Sequence, residues 1–285
     1  MADAVVEAGR KTGPGDAFES LANKIDAIFH PIAKKLTLVA MALVVLMIIS
    51  VTLDVSLKLA NISFPWISEV VTYMMGILTF VALAYVGSIK GHISIDLLFE
   101  KLPEKLKAGL GTGHKILELI LVVFMAWRLF VYAGTVTTLT GSVLTKLPIS
   151  VIVYIMFVGL VFYVPVILGD LLHNVASFLN NFSIPGLVIL AGLPVAVWTV
   201  PYWFAALGFN ATMTGVMGIV LMLSLILSGL PLAFGLGTAG AVVFAKLTSF
   251  TSLFNFTGRA LYSSVGDYYL AVIPFFVVMG SLVAV

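Results

Sequence analysis

The chain has 285 residues, 61% of them hydrophobic and 10% charged, with a mean hydropathy of +1.17 and a formal net charge of +2. Soluble domains carry roughly 25% charged residues, so the composition excludes one. The basic residues are spread thinly along apolar boundaries and give no nucleic-acid signature. Without cysteine there are no disulfides, thiolate metal sites or cysteine nucleophiles.

The first twenty residues, MADAVVEAGRKTGPGDAFES, are polar and acidic, and the first apolar run begins only near Leu36. That is too late for a secretory signal, so no cleaved leader is expected. Phe18, Leu21, Ile25, Ile28, Phe29 and Ile32 recur at helical spacing opposite Lys24, Asp26 and Lys34. Residues 1–35 are therefore expected to be a cytoplasmic segment whose amphipathic helix lies in the headgroup region.

Apolar spans follow at Leu36–Leu57, Val70–Ile89, Ile116–Leu139 and Ile149–Leu168. A fifth, Ile184–Trp203, holds Pro194 and Pro201. Two short runs, Thr214–Ser228 and Leu232–Ala245, are separated by Gly229-Leu230-Pro231, and Leu270–Val285 is the last. About 20 residues at 1.5 Å each match the ~30 Å hydrocarbon core. Lipid cannot satisfy irregular backbone, so each run is read as a helix, with turns at the Gly and Pro breaks. Ile95, Leu98, Phe99 and Leu102 suggest a second interfacial helix before Pro103, and Asn255–Ser264 a third. The fold class expected is all-α, a polytopic helical membrane protein with about eight transmembrane helices plus interfacial amphipathic helices.

Loop charges set the expected orientation. Arg10, Lys11, Lys24, Lys34 and Lys35 precede the first span, against Lys58 alone after it. Lys90, Lys101, Lys105, Lys107 and Lys115 separate the second and third spans, against Lys146 alone between the third and fourth. Basic loops stay in the cytoplasm, which places the N-terminus and the Lys90–Lys115 loop there.

Ionisable groups in or beside the spans are the functional candidates. Arg128 lies about 12 residues into the third span, roughly 18 Å along it. Asp54 and Glu69 stand at the end of the first span and the start of the second, so all three are expected at similar depth. They are read either as a buried ion pair of Arg128 with one acid that fixes helix packing or as a contact for an external partner or a substrate path. Glu118 and Asp170, at helix ends, are read as solvated anchors. His30, His92, His114 and His173 sit at or beyond inner helix ends, which disfavours a haem-binding redox anchor. Lys90-Gly91-His92 reads as an interfacial turn in which His92 and Asp96 tie the following segment to the bundle. No HExxH, GxxxxGK[ST] or GxSxG occurs, so no enzyme is indicated. Gly235-Leu236-Gly237-Thr238-Ala239-Gly240 spells GxGxxG inside an apolar run, where small residues favour close helix contact rather than a dinucleotide loop.

Residues 36–175 resemble the small, DctQ-like membrane subunit of a tripartite ATP-independent periplasmic (TRAP) transporter. The resemblance rests on Trp66 and Glu69 ahead of the second helix and on the exit His92-Ile93-Ser94-Ile95-Asp96. It also rests on Leu102-Pro103 and on Leu147-Pro148 before Ile149. Tyr73 departs from it, standing where a basic residue is expected. Residues 212–285 resemble the opening of the large, DctM-like subunit, most closely in Ile273-Pro274-Phe275 through Met279-Gly280. Residues 176–211 would be a transmembrane helix joining the two parts.

The resemblance implies sodium-driven uptake of an organic, dicarboxylate-like acid in the bacterial inner membrane. Its implied partners are a periplasmic solute-binding protein, the remainder of the large membrane subunit and the lipid bilayer. No cofactor is implied beyond Na+ coupling. The apolar run stops at Val285, so the chain is expected to be truncated, with the substrate and ion sites in the missing C-terminal part. A membrane assembly or adaptor protein with no transport role is the alternative reading.

Overall fold

The computed structural model describes residues 14–136 and 148–284, and among them every regular element is helical. The helices are α1 (Asp16–Leu59), α2 (Trp66–Ser88), α3 (Glu104–Thr135), α4 (Ile149–Asn180) and α5 (Ile184–Ala206). Then come α6 (Ala211–Leu227), α7 (Leu232–Leu247), α8 (Phe250–Val265) and α9 (Val272–Val283). Short 3₁₀ turns occupy Phe99–Lys101 and Tyr268–Ala271. Lys146, Ser142 and Leu147, like Arg10 and Lys11, lie outside the described residues.

Among the described residues five helices, α1 to α5, are long and apolar enough to cross a membrane. A sixth crossing exists only if α8 and the Tyr268–Val283 segment, bent by 47° at their junction, count as one broken span. The all-α, polytopic fold class holds, with five or six described helices meeting that length and composition where about eight are expected from the sequence. With 17 and 16 residues, α6 and α7 reach only about 25 Å, short of the hydrocarbon core.

Two expectations about interfacial helices are corrected. The amphipathic N-terminal segment and the first span form one 44-residue helix running through Pro31. Proline removes one hydrogen bond, but no glycine, capping serine or turn lies between Ile28 and Leu36 to stop the helix. Residues 92–98, by contrast, are not helical. Their backbone bonds elsewhere: Leu98 N donates to Leu227 O at 3.3 Å, and Ile93 O accepts from Leu232 N at 2.9 Å. Once these groups are taken by the α6–α7 turn, the apolar periodicity of residues 95–102 yields only the 3₁₀ turn.

The chain divides into two compact units. One comprises Met1–Ile28, Ile93–Leu119 and Ile167–Lys246. Here α3 meets α5 where Gly109 lies against the Gly186 backbone, so closely that a Cβ at 109 would collide with it. The N-terminal part of α1 lies against the end of α4, with Gly15 N donating to Asn180 Oδ1 at 3.3 Å. Gly229, at φ +96°, makes the α6–α7 turn in a conformation that favours glycine. Beyond it Gly235 packs against Ile226, with Thr238 and Ala239 buried, so the GxGxxG run serves helix contact as expected.

The other unit comprises Phe29–His92, Ile120–Val166 and Leu247–Val285. Its packing includes Met47, Ile67, Val71 and Ala271, with Tyr268 and Phe275 against them. Thus α1, α2 and the start of α9 share one apolar cluster. Where α2 crosses α4, a Cβ on Gly159 would lie 2.8 Å from the carbonyl oxygen of Phe80.

Candidate functional site

In the first unit, polar side chains link successive helices. Lys115 on α3 places Nζ 3.0 Å from Glu118 Oε2, one turn along its own helix, and 2.9 Å from Asp170 Oδ2 on α4. The Glu118 side chain is 0% exposed, against 20% for Asp170. Both had been expected as solvated anchors; instead one lysine bridges them. A buried carboxylate without a cation would be costly, and Lys115 supplies one to both. Nearby on α4, His173 Nε2 lies 2.9 Å from Asp26 Oδ2 on α1.

His114, buried beside Lys115, points to a different neighbour: its Nε2 is 3.0 Å from Ser228 Oγ at the end of α6. The Ser228 hydroxyl donates to Leu225 O at 2.7 Å. Its single proton is thereby used, so Ser228 accepts and His114 Nε2 donates. Asp96 also meets this turn. Its Oδ2 accepts from Ser94 Oγ at 3.3 Å, and its Oδ1 lies beside Gly229.

In the second unit the expected partnership of Arg128 with Glu69 or Asp54 is not made. Asp54, 2% exposed, is held by Lys58 at 2.6 Å, one turn along α1. Glu69 Oε1 accepts from Tyr73 Oη at 2.9 Å. A tyrosine therefore serves Glu69 where a basic residue had been expected. Glu69 Oε2 and Arg128 Nε are both buried without a hydrogen-bond partner. The Arg128 guanidinium instead lies over aromatic rings, 5.4 Å from the centroid of Trp127 and 6.0 Å from that of Phe254 on α8. Each acid takes a partner one turn along its own helix, Lys58 for Asp54 and Tyr73 for Glu69.

His92 does tie its turn to a helix: Tyr163 Oη lies 3.0 Å from His92 Nε2. Gly87 makes room for the Tyr163 ring, and Lys90, at φ +52°, shapes the turn between them. Trp66 is exposed at the start of α2, edge-on to Phe64 at 6.3 Å. Pro274 sits in the first turn of α9, where its missing N–H costs nothing. Gly280 has nothing within 4 Å of where a Cβ would stand. Among the described residues no hydrogen bond or ion pair joins Asp54, Glu69 and Arg128 to one another.

Among the described residues no group of three His, Asp or Glu could hold a metal ion. Held between helices by hydrogen bonds and ion pairs, these side chains are suited to fixing helix positions. Residues 47–177 match the family described as tripartite ATP-independent periplasmic transporters, DctQ component. That stretch is DctQ-like. DctQ components are transport proteins rather than enzymes, and the match agrees with the apolar helices in indicating a multi-pass membrane component. No curated protein and no solved structure matches the chain.

Within or beside the DctQ-like stretch, sequence reasoning named His92, whose tie to Tyr163 is present, but missed the Lys115 bridge. The Lys115/Glu118 spacing of three residues was a visible signal. Asp170, fifty-five positions on, carries none that a single sequence displays.

Proposed function

We propose that this chain is the membrane scaffold of a TRAP-type secondary transporter, taking up an organic, dicarboxylate-like acid at the expense of a sodium gradient. Its partners are a periplasmic solute-binding protein and a large membrane subunit. The observation that carries the reading is the DctQ family match over residues 47–177. Residues 212–285 are the DctM-like part of the same polypeptide. This is supported by the short α6–α7 pair with its Gly229 turn and by the bent α8–α9 pair. Broken and paired short helices of this kind recur where secondary transporters build their binding regions.

The backbone of residues 93–98 and the side chain of His114 both engage the α6–α7 turn. The DctQ-like part would thus hold the neighbouring hairpin in place, which suits a scaffold. The protein would sit in the bacterial inner membrane with its N-terminus in the cytoplasm. A strain lacking the chain should lose sodium-dependent, binding-protein-dependent uptake of organic acids and regain it when the chain is re-expressed. Uptake untouched by the deletion would refute the reading.

A further inference from the structure

The second unit contains two arginines, Arg128 and Arg259, that form no ion pair among the described residues. Its acidic residues are Asp54, Glu69 and Asp267. Asp54 is paired with Lys58, Glu69 accepts from Tyr73, and Asp267 Oδ1 caps the 3₁₀ turn by accepting from Tyr269 N at 2.9 Å.

The two arginines belong to one helix crossing. Gly258 of α8 approaches α3 so closely that a Cβ there would lie 2.6 Å from the carbonyl oxygen of Arg128. Arg259 follows immediately and is exposed. Phe254, one turn earlier on α8, stacks near the Arg128 guanidinium and edge-on to Trp127.

The surroundings of this crossing are apolar and open. Val123, Trp127 and Phe130 on α3 are exposed, as is Phe256 on α8, and Trp127 retains 51% of its accessible surface. On a chain whose helices are long and apolar enough to span a bilayer, exposed side chains of this kind face acyl chains. Arg128 lies seven residues before the end of α3 at Thr135, about 10 Å along the axis. An arginine side chain bridges much of that distance to the headgroup level. A planar guanidinium donates two parallel N–H bonds to a phosphate.

We propose that Arg128 and Arg259 bind the phosphodiester of a membrane phospholipid at the α3–α8 crossing. The acyl chains of that lipid lie over Trp127 and Phe130. A soluble anion would gain nothing from those apolar neighbours, whereas a phospholipid uses both the charge and the apolar surface.

The test uses the full chain, purified in mild detergent, with retained phospholipid counted by native mass spectrometry during titration with phosphatidylglycerol. Wild type should retain phospholipid, and R128Q should retain it about fivefold more weakly, the equivalent of ~1 kcal/mol per basic residue at a lipid surface. R128K should fall between them, and R259Q should weaken retention in the same direction. Inorganic phosphate or succinate should not displace the lipid. Equal retention by wild type and R128Q would overturn the proposal, as would displacement by either soluble anion. Should R128Q fail to fold, R259Q decides, because its side chain is exposed; retention equal to wild type would then overturn it.

Discussion

Lys115 Nζ lies 2.9 Å from Asp170 Oδ2, tying α3 to α4, while the same ammonium reaches Glu118 Oε2 at 3.0 Å. The Glu118 side chain is fully buried, so the lysine compensates a carboxylate that water cannot reach. Removing one partner of a buried pair costs about 3–5 kcal/mol, because the other charge stays behind. Lys115→Met should therefore lower thermal stability and folded yield sharply, as read by size-exclusion profiles of detergent extracts after heating. Combining it with Asp170→Asn should cost less than the sum of the two single losses. Strictly additive losses would mean that the lysine does not hold the helices together.

Arg128 should behave differently. It stacks on Trp127 and Phe254 rather than pairing with an acid. Losses from Arg128→Met and Glu69→Gln should then add within the ~0.5 kcal/mol expected of uncoupled sites. A stability gain when the second change is added to the first would restore the ion pair expected from sequence.

Helix contact through glycine gives a third outcome. At Gly159 a Cβ would meet the Phe80 backbone, which cannot swing aside as a side chain would. Gly159→Ala should cost about 1–3 kcal/mol, as overpacking does. Gly192, on α5, has nothing within 4 Å. Gly192→Ala should be neutral or stabilise by up to about 1 kcal/mol through helix propensity. Equal effects at both positions, measured as midpoints of thermal unfolding, would rule out a backbone contact at 159.

Orientation is the fourth. Since the chain has no cysteine, single cysteines report sidedness directly. Cysteine at Asn61 or Phe209 should react with an impermeant maleimide in intact cells. Cysteine at Lys101 or Asn174 should react only after permeabilisation. Reversal at position 61 would overturn the assignment made from loop charges.

The four long spans from Val70 onward were legible because apolar length is a local property. A run of about 20 apolar residues has few alternatives to a helix in lipid. The turn at Lys90-Gly91-His92 and the small-residue contact at Gly235 could likewise be read directly from residue type. The Arg128 pairing was misjudged because matching depth along two helices does not fix the direction in which a side chain points.

By itself, the order of residues determined an all-helical membrane chain with a DctQ-like stretch and the positions of most helices. Tertiary structure alone decided that residues 92–98 leave the helical state, that Lys115 joins Glu118 to Asp170, and that His114 bonds Ser228. These outcomes depend on groups from distant parts of the chain meeting. A backbone amide or a buried charge takes the partner that three-dimensional packing brings within about 3 Å, and local periodicity does not specify that partner.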